Sequence, residues 1–270
     1  MKKDQQQVDE IESSNATLIE HLSELRARLI WSVLAFLLCM ICVFPFAKHI
    51  FTFLATPITE LLSTQNESSD LIFTGLQQGF MVNVKISFFG GFIVSFPFLG
   101  FQIWRFIAPG LYKKERLAFL PFLIASPLLF MIGASFAYFI VLPLAFNFFL
   151  SFQNTSDLNN LVGIKYLGTI NEYLSLTMRF ILAFGICFQL PVLLTLMGKA
   201  GLVSAQSLIK VRKYAIVTIL VIAAIVTPPD VVTQVILFSV VYSLYEISIL
   251  LVKLVEKKKE KDLQQMDENV

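Results

Sequence analysis

Apolar residues gather into six stretches, at about 29–47, 79–106, 117–142, 172–196, 213–227 and 231–252, and polar segments holding most of the charge separate them. A helix rises about 1.5 Å per residue and needs about 20 apolar residues to cross a hydrocarbon core of about 30 Å. The fifth stretch is far shorter, with only 13 apolar residues from Tyr214 to Val226. The pattern predicts an all-α integral membrane protein of six transmembrane helices with short fifth and sixth spans. Pro228 and Pro229 separate the last two, and Asp230 follows them, so a carboxylate is expected inside the thickness of the membrane.

Ahead of the first span the period changes. Leu18, Leu22, Leu25 and Leu29 recur at helical spacing, and Thr17 with Glu20 has the spacing of a capping box. This predicts a short amphipathic helix on the interface before the chain turns into the bilayer. The chain then divides into a polar tail at 1–16, a six-span membrane domain at 17–255, and a charged tail at 256–270 expected to be disordered.

Composition agrees with this reading: 56% of the residues are hydrophobic, mean hydropathy is +0.74, and 27 are Phe. Charge supplies the orientation. Of the 21 Lys and Arg, all but Lys48, Lys165, Lys85 and Arg179 lie on the side of the termini, and positively charged loops resist translocation. Both termini are therefore expected in the cytoplasm. The net charge of +2 hides a polarisation along the membrane normal and gives no reason to expect nucleic acid. The first apolar stretch follows a polar segment with six acidic residues and precedes no small-residue cleavage site, which suggests an uncleaved anchor.

Cys39, Cys42 and Cys187 fall in predicted spans, and the two His, His21 and His49, fall on opposite sides. Cys39 and Cys42 form a CxxC, but a redox or zinc pair needs water and, for zinc, further ligands, so buried small apolar residues are the simpler reading. No phosphate loop, dinucleotide fingerprint or metalloprotease helix is present, and neither a metal nor a cofactor is expected.

Specific motifs run through the chain. His21-Leu22-Ser23-Glu24-Leu25-Arg26 with Arg28 comes first, then Pro57, then Phe101-Gln102-Ile103-Trp104-Arg105-Phe106-Ile107-Ala108-Pro109-Gly110-Leu111-Tyr112 with Glu115 and Arg116. Phe136-Ala137-Tyr138-Phe139 and Leu142-Pro143-Leu144-Ala145-Phe146 follow, then Ala183-Phe184-Gly185, Phe188-Gln189-Leu190-Pro191, Thr227-Pro228-Pro229-Asp230 with Gln234, and Glu246. In order and content, over roughly 17–255, these resemble the TatC family, the multi-span receptor of the twin-arginine protein translocase. The resemblance implies a curved, glove-like wall of six helices in a cytoplasmic (inner) membrane. It also implies a non-enzymatic receptor that binds twin-arginine signal peptides of folded precursors and works with single-span TatA- and TatB-type partners and further copies of itself, driven by the proton-motive force.

The resemblance assigns Glu24 and Glu115 to recognition of the signal peptide, with Leu25, Arg26 and Phe106 beside them. The chemistry suits this, because a carboxylate accepts two parallel N–H donors from a guanidinium that never loses its charge. The ordinary alternatives are an i,i+4 surface pair of Glu24 with Arg28, and neutralisation of Lys113, Lys114 and Arg116 by Glu115. Partner helices are expected around Gln189 and Thr227–Gln234. The family has an acid where this chain has Gln189, so a mechanism needing a proton there does not fit.

Charges at membrane depth cost at least about 2.5–3.5 kcal/mol each, so Lys85, Arg179, Asp230 and Glu246 need protein or water around them. A hydrated concavity is favoured over a proton relay, with Lys85 and Arg179 snorkelling to the external face. Pro97, Pro127 and Pro191 lie within spans, each removing a donor and opening a carbonyl; Pro57 and Pro109 lie in loops. Gly90 and Gly91 either allow close helix approach or are ordinary membrane-helix glycines. Residues 48–78 and 143–171 are expected to include short interfacial helices over the outer mouth. An ion-coupled secondary transporter using intramembrane acids is the competing function, but no repeated halves are evident.

Overall fold

The computed structural model describes residues 2–64, 71–107, 120–153 and 168–268. Helical side chains at 2–22, 104, 106–107, 120–121, 260, 262–263 and 265–268 lie outside what it describes.

Where no breaker interrupts the chain, helices run long. Residues 2–43 contain neither Gly nor Pro, and they form one helix, α1 (Lys2–Val43), which a 3₁₀ turn at Phe44–Phe46 ends at Pro45. The interfacial stripe and the first span are thus one rod, not a separate surface helix followed by a turn. The same cause extends the last helix, α10 (Val231–Glu268), which also lacks Gly and Pro. It is longer than the short sixth span expected, and the charged segment beyond Val255 continues as helix to Glu268 instead of standing apart as a tail.

Between these rods lie α2 (Ala47–Thr64), α3 (Gln78–Ile107), α4 (Leu120–Phe136), α5 (Leu142–Leu150), α6 (Ile170–Cys187), α7 (Leu190–Lys199), α8 (Ala205–Lys210) and α9 (Arg212–Val226). Five helical stretches, 23–64, 78–103, 122–150, 170–199 and 231–259, are long and apolar enough to cross a membrane. The short fifth apolar stretch forms α9, which has 15 residues, about 22 Å of helix. Among the described residues there is no strand. A single parallel bridge, Ile72 to Thr169, ties the two loops of one face.

The helices stand in a row. α1 packs on α3, α3 on α4, α4 on α6 and α7, α7 on α10, and α10 on α9. The result is an open wall, not a closed bundle, with α1 and α9 at its two edges. Val43 is the only buried apolar residue in the described part of α1, and Ile219 and Ala223 are the only ones in α9. Neighbours run in opposite directions: Arg28, before the span of α1, reaches Gln102 near the end of α3, while Phe44 meets Phe80 near its start. Both chain ends therefore meet one face of the wall, the terminal face; the other is the far face.

Close approach holds the row together, since lipid tails are as apolar as the side chains and burial from water contributes little. A Cβ on Gly91 would lie 2.7 Å from the Met40 Cα, so α1 and α3 touch through their backbones. Between α4 and α6 the fit is reciprocal: a Cβ on Gly133 would meet the Phe184 carbonyl at 2.7 Å, and one on Gly185 would meet Phe130 at 2.6 Å.

The far face is capped as expected, by α2 and α5. Pro57 has no N–H for the Phe53 carbonyl four residues back, and the Tyr138 hydroxyl donates to that oxygen at 2.6 Å. Tyr173 from α6 donates to the next carbonyl, Leu54, at 2.5 Å. Tyr138 reaches α2 from a π turn, Ala137–Val141, which joins α4 to α5 just before Pro143.

Candidate functional site

On the terminal face, α1 brings Glu24 and Arg28 one turn apart, and the two form an ion pair. Arg28 donates through Nε at 3.0 Å and through Nη2 to the same carboxylate oxygen of Glu24. Its remaining terminal nitrogen, Nη1, donates to Gln102 Oε1 at 3.3 Å on α3. The guanidinium thus bridges two helices and fixes Glu24 where α1 and α3 meet. Both residues are part-buried, so the pair is worth more than a fully solvated one. Leu25, 40% exposed, and Arg26 stand beside it on the open surface.

Gln102 is the member of this cluster that sequence reasoning did not single out. Its signal was available in the run from Phe101 to Tyr112, but nothing local says that an amide on α3 will meet a guanidinium on α1. Phe106 lies in the last turn of α3, and its side chain is outside the described residues, as are Pro109 and Glu115. The chain leaves the described region at Ile107, one residue after Phe106.

The polar residues expected to meet partners mostly serve the fold. Ser126 Oγ donates to Gln189 Oε1 at 2.8 Å, and Gln189 Nε2 donates to the Ser126 carbonyl at 2.9 Å. Gln189 sits at a break in the fourth pass, where Pro191 cannot donate to the Cys187 carbonyl and α6 gives way to α7. A carboxylate could accept from Ser126 but could not return a donor, which makes an amide apt here. Asp230 caps α10, accepting from the Thr233 backbone N–H at 2.7 Å and from the Thr233 hydroxyl. Thr227 is buried and donates to the Ala223 carbonyl at 2.9 Å, closing α9.

Glu246 is not a mid-membrane carboxylate without company. It accepts from Arg212 Nη2 at 2.6 Å and from the Tyr242 hydroxyl at 2.9 Å, binding α10 to the start of α9. Gln234 is half-exposed beside exposed Val235, and its side chain makes no hydrogen bond among the described residues. No group of three or more His, Cys, Asp or Glu able to hold a metal occurs among the described residues.

The sequence pattern of the family "Sec-independent protein translocase protein (TatC)" matches residues 20–239. The chain belongs to the TatC family. Sec-independent protein translocase protein TatC of Magnetococcus marinus is 47% identical over 244 residues, covering 90% of this chain and 86% of the relative. That of Aquifex aeolicus is 44% identical over 242 residues, covering 90% and 97%. That of Escherichia coli K12 is 38% identical over 232 residues, covering 86% of each. A crystal structure of the twin-arginine translocase receptor TatC superposes with a TM-score of 0.75 at 44% identity, covering 87% of this chain and 99% of that one.

TatC membership makes the chain a subunit of a Sec-independent protein translocase, a non-enzymatic component. The open helical wall is the architecture that the TatC superposition shares. Its multi-pass membrane character agrees with the five long apolar stretches.

Proposed function

We propose that this TatC chain is the receptor for twin-arginine signal peptides and that Glu24 is the acid which meets the arginine pair. The observation that carries the reading is the state of Glu24: it already accepts two N–H bonds from a guanidinium, that of Arg28, the donor group an incoming arginine brings. An arriving arginine can take the carboxylate while Arg28 keeps its bond to Gln102. Exchange of one guanidinium for another conserves what Glu24 accepts, while Arg28 gives up its carboxylate and keeps Gln102, so selectivity comes from the fork geometry, which Lys lacks.

Glu115 supplies the second carboxylate in this proposal, on the loop that α3 enters, with Phe106, Leu25 and Arg26 bordering the site. Two charge-assisted contacts contribute roughly 3–6 kcal/mol, short of the approximately 8 kcal/mol of micromolar binding. The apolar part of the signal peptide, laid against the wall, provides the difference. The termini lie in the cytoplasm of a cell whose inner membrane holds the protein, an orientation that the distribution of Lys and Arg supports.

TatA- and TatB-type single-span partners dock along the α9 edge, where only Ile219 and Ala223 of α9 are buried and Ile225, Val231 and Val235 are exposed beside Gln234. With Asp230 and Glu246 occupied by Thr233, Arg212 and Tyr242, a transporter's chain of titrating acids has little support. Photo-cross-linking of a labelled twin-arginine peptide to the full chain tests the receptor reading. Glu24→Gln is expected to lower capture about 10-fold or more, and Glu24→Gln with Glu115→Gln to abolish it. Undiminished capture by the double variant contradicts the assignment.

A further inference from the structure

Two cations near the far face take no part in the terminal site, and one of them bridges two helices of the wall. Lys85 on α3 donates to Asn171 Oδ1 at 2.5 Å and to Ser175 Oγ at 3.4 Å on α6. Asn171, Ser175 and Arg179 follow at four-residue intervals in one unbroken helix, so they share a stripe, and Arg179 stands one turn below the serine that Lys85 touches. Both cations are exposed, and among the described residues neither has a carboxylate within 4.0 Å. Glu172, the acid nearest in sequence, lines a separate cavity with Phe146, Tyr173 and Leu176.

Two features fix the level and kind of counter-ion. Helical side chains lean toward the helix N-terminus, and α3 and α6 both start at the far face, so both cations point toward that surface. The Lys85 ammonium has reached the first turn of α6, the turn holding Asn171, where the positive end of the helix dipole adds to the field. Below the cations the surface turns apolar: Phe88 follows Lys85 on α3 and is 53% exposed, and Ile186, on the Arg179 stripe, is 54% exposed. Charge above and apolar surface below match one kind of ligand, an amphiphile with a phosphate and acyl chains.

We propose that Lys85 and Arg179 form a binding site for the phosphate of a membrane phospholipid in the far-face leaflet, with Asn171 and Ser175 holding the ammonium and the acyl chains lying along Phe88 and Ile186. The phosphate supplies the negative charge that the protein does not. It also anchors the wall at a defined height in the bilayer, beside the α2 and α5 cap.

Native mass spectrometry of the full chain, delipidated in detergent and titrated with phosphatidylglycerol, tests the site. Lys85→Gln with Arg179→Gln is expected to lower lipid retention about 10-fold or more, and Lys85→Arg with Arg179→Lys, which keeps both charges, to restore it. Diacylglycerol of the same chains is expected not to be retained, and sn-glycerol 3-phosphate at equal concentration not to compete. Unchanged retention by the neutral variant, or equal retention of diacylglycerol, overturns the proposal, and competition by glycerol phosphate overturns the lipid assignment. A neutral variant that keeps phospholipid but loses a co-purifying single-span chain also overturns it, in favour of an acid on a partner helix.

Discussion

At the scale of single residues, the structure repeatedly gives one group's loss to another group's donor. Pro57 leaves the Phe53 carbonyl without its helical partner, and Tyr138, 85 residues away, supplies the hydrogen bond. Burying that oxygen unpaired costs about 1–3 kcal/mol, so Tyr138→Phe is expected to lower stability by about that amount in denaturant titrations of the detergent-solubilised protein. In a Pro57→Ala background the same substitution should cost distinctly less, because the backbone regains the N–H that serves Phe53. Equal costs in both backgrounds would mean that the tyrosine acts by packing alone. The sequence shows that each proline opens a carbonyl; it does not show which distant hydroxyl will close it. For the same reason the cap formed by Asp230 and Thr233, three positions apart, was open to sequence reasoning, whereas the pairing of Gln189 with Ser126, 63 positions apart, was not.

Elements follow from breakers more faithfully than from polarity. The apolar stretches located the passes well, but polarity suggested ends at about 29 and 252 where the backbone has no reason to stop, and α1 and α10 run through both. Conversely, Pro191 splits the fourth pass inside an apolar run, and the amide of Gln189 restores the link to α4. Gln189→Ala and Ser126→Ala in a double-mutant cycle should therefore show a coupling of about 0.5–3 kcal/mol, while additive effects would deny the link. Gly91 is the comparable test for helix contact. Gly91→Val must push α1 from α3, because the obstructing atoms are backbone, and faster proteolysis of the α1 region is the expected readout. Unaltered proteolysis would show that the two helices have slack.

For the molecule as a whole, the open wall leaves two edges and one terminal face for other chains, as befits a translocase component more than a self-contained channel. The all-helical membrane architecture, the helices over the far face and the family were legible in the sequence, since each rests on runs of many residues. The state of the candidate site was legible only in part. The four-residue spacing of Glu24 and Arg28 announced their pair, but the anchoring of Arg28 by Gln102 needed the packing of α1 on α3. That anchoring suggests a receptor acid held ready by an internal guanidinium until a peptide guanidinium replaces it. The most direct test is a binding cycle that pairs twin-arginine and twin-lysine peptides with the full chain and its Glu24→Gln variant, measured by titration in detergent or nanodiscs. The account predicts that arginine is preferred by about 10-fold or more on the unaltered chain and that most of this preference disappears in the variant. The same arginine preference in both proteins would contradict it.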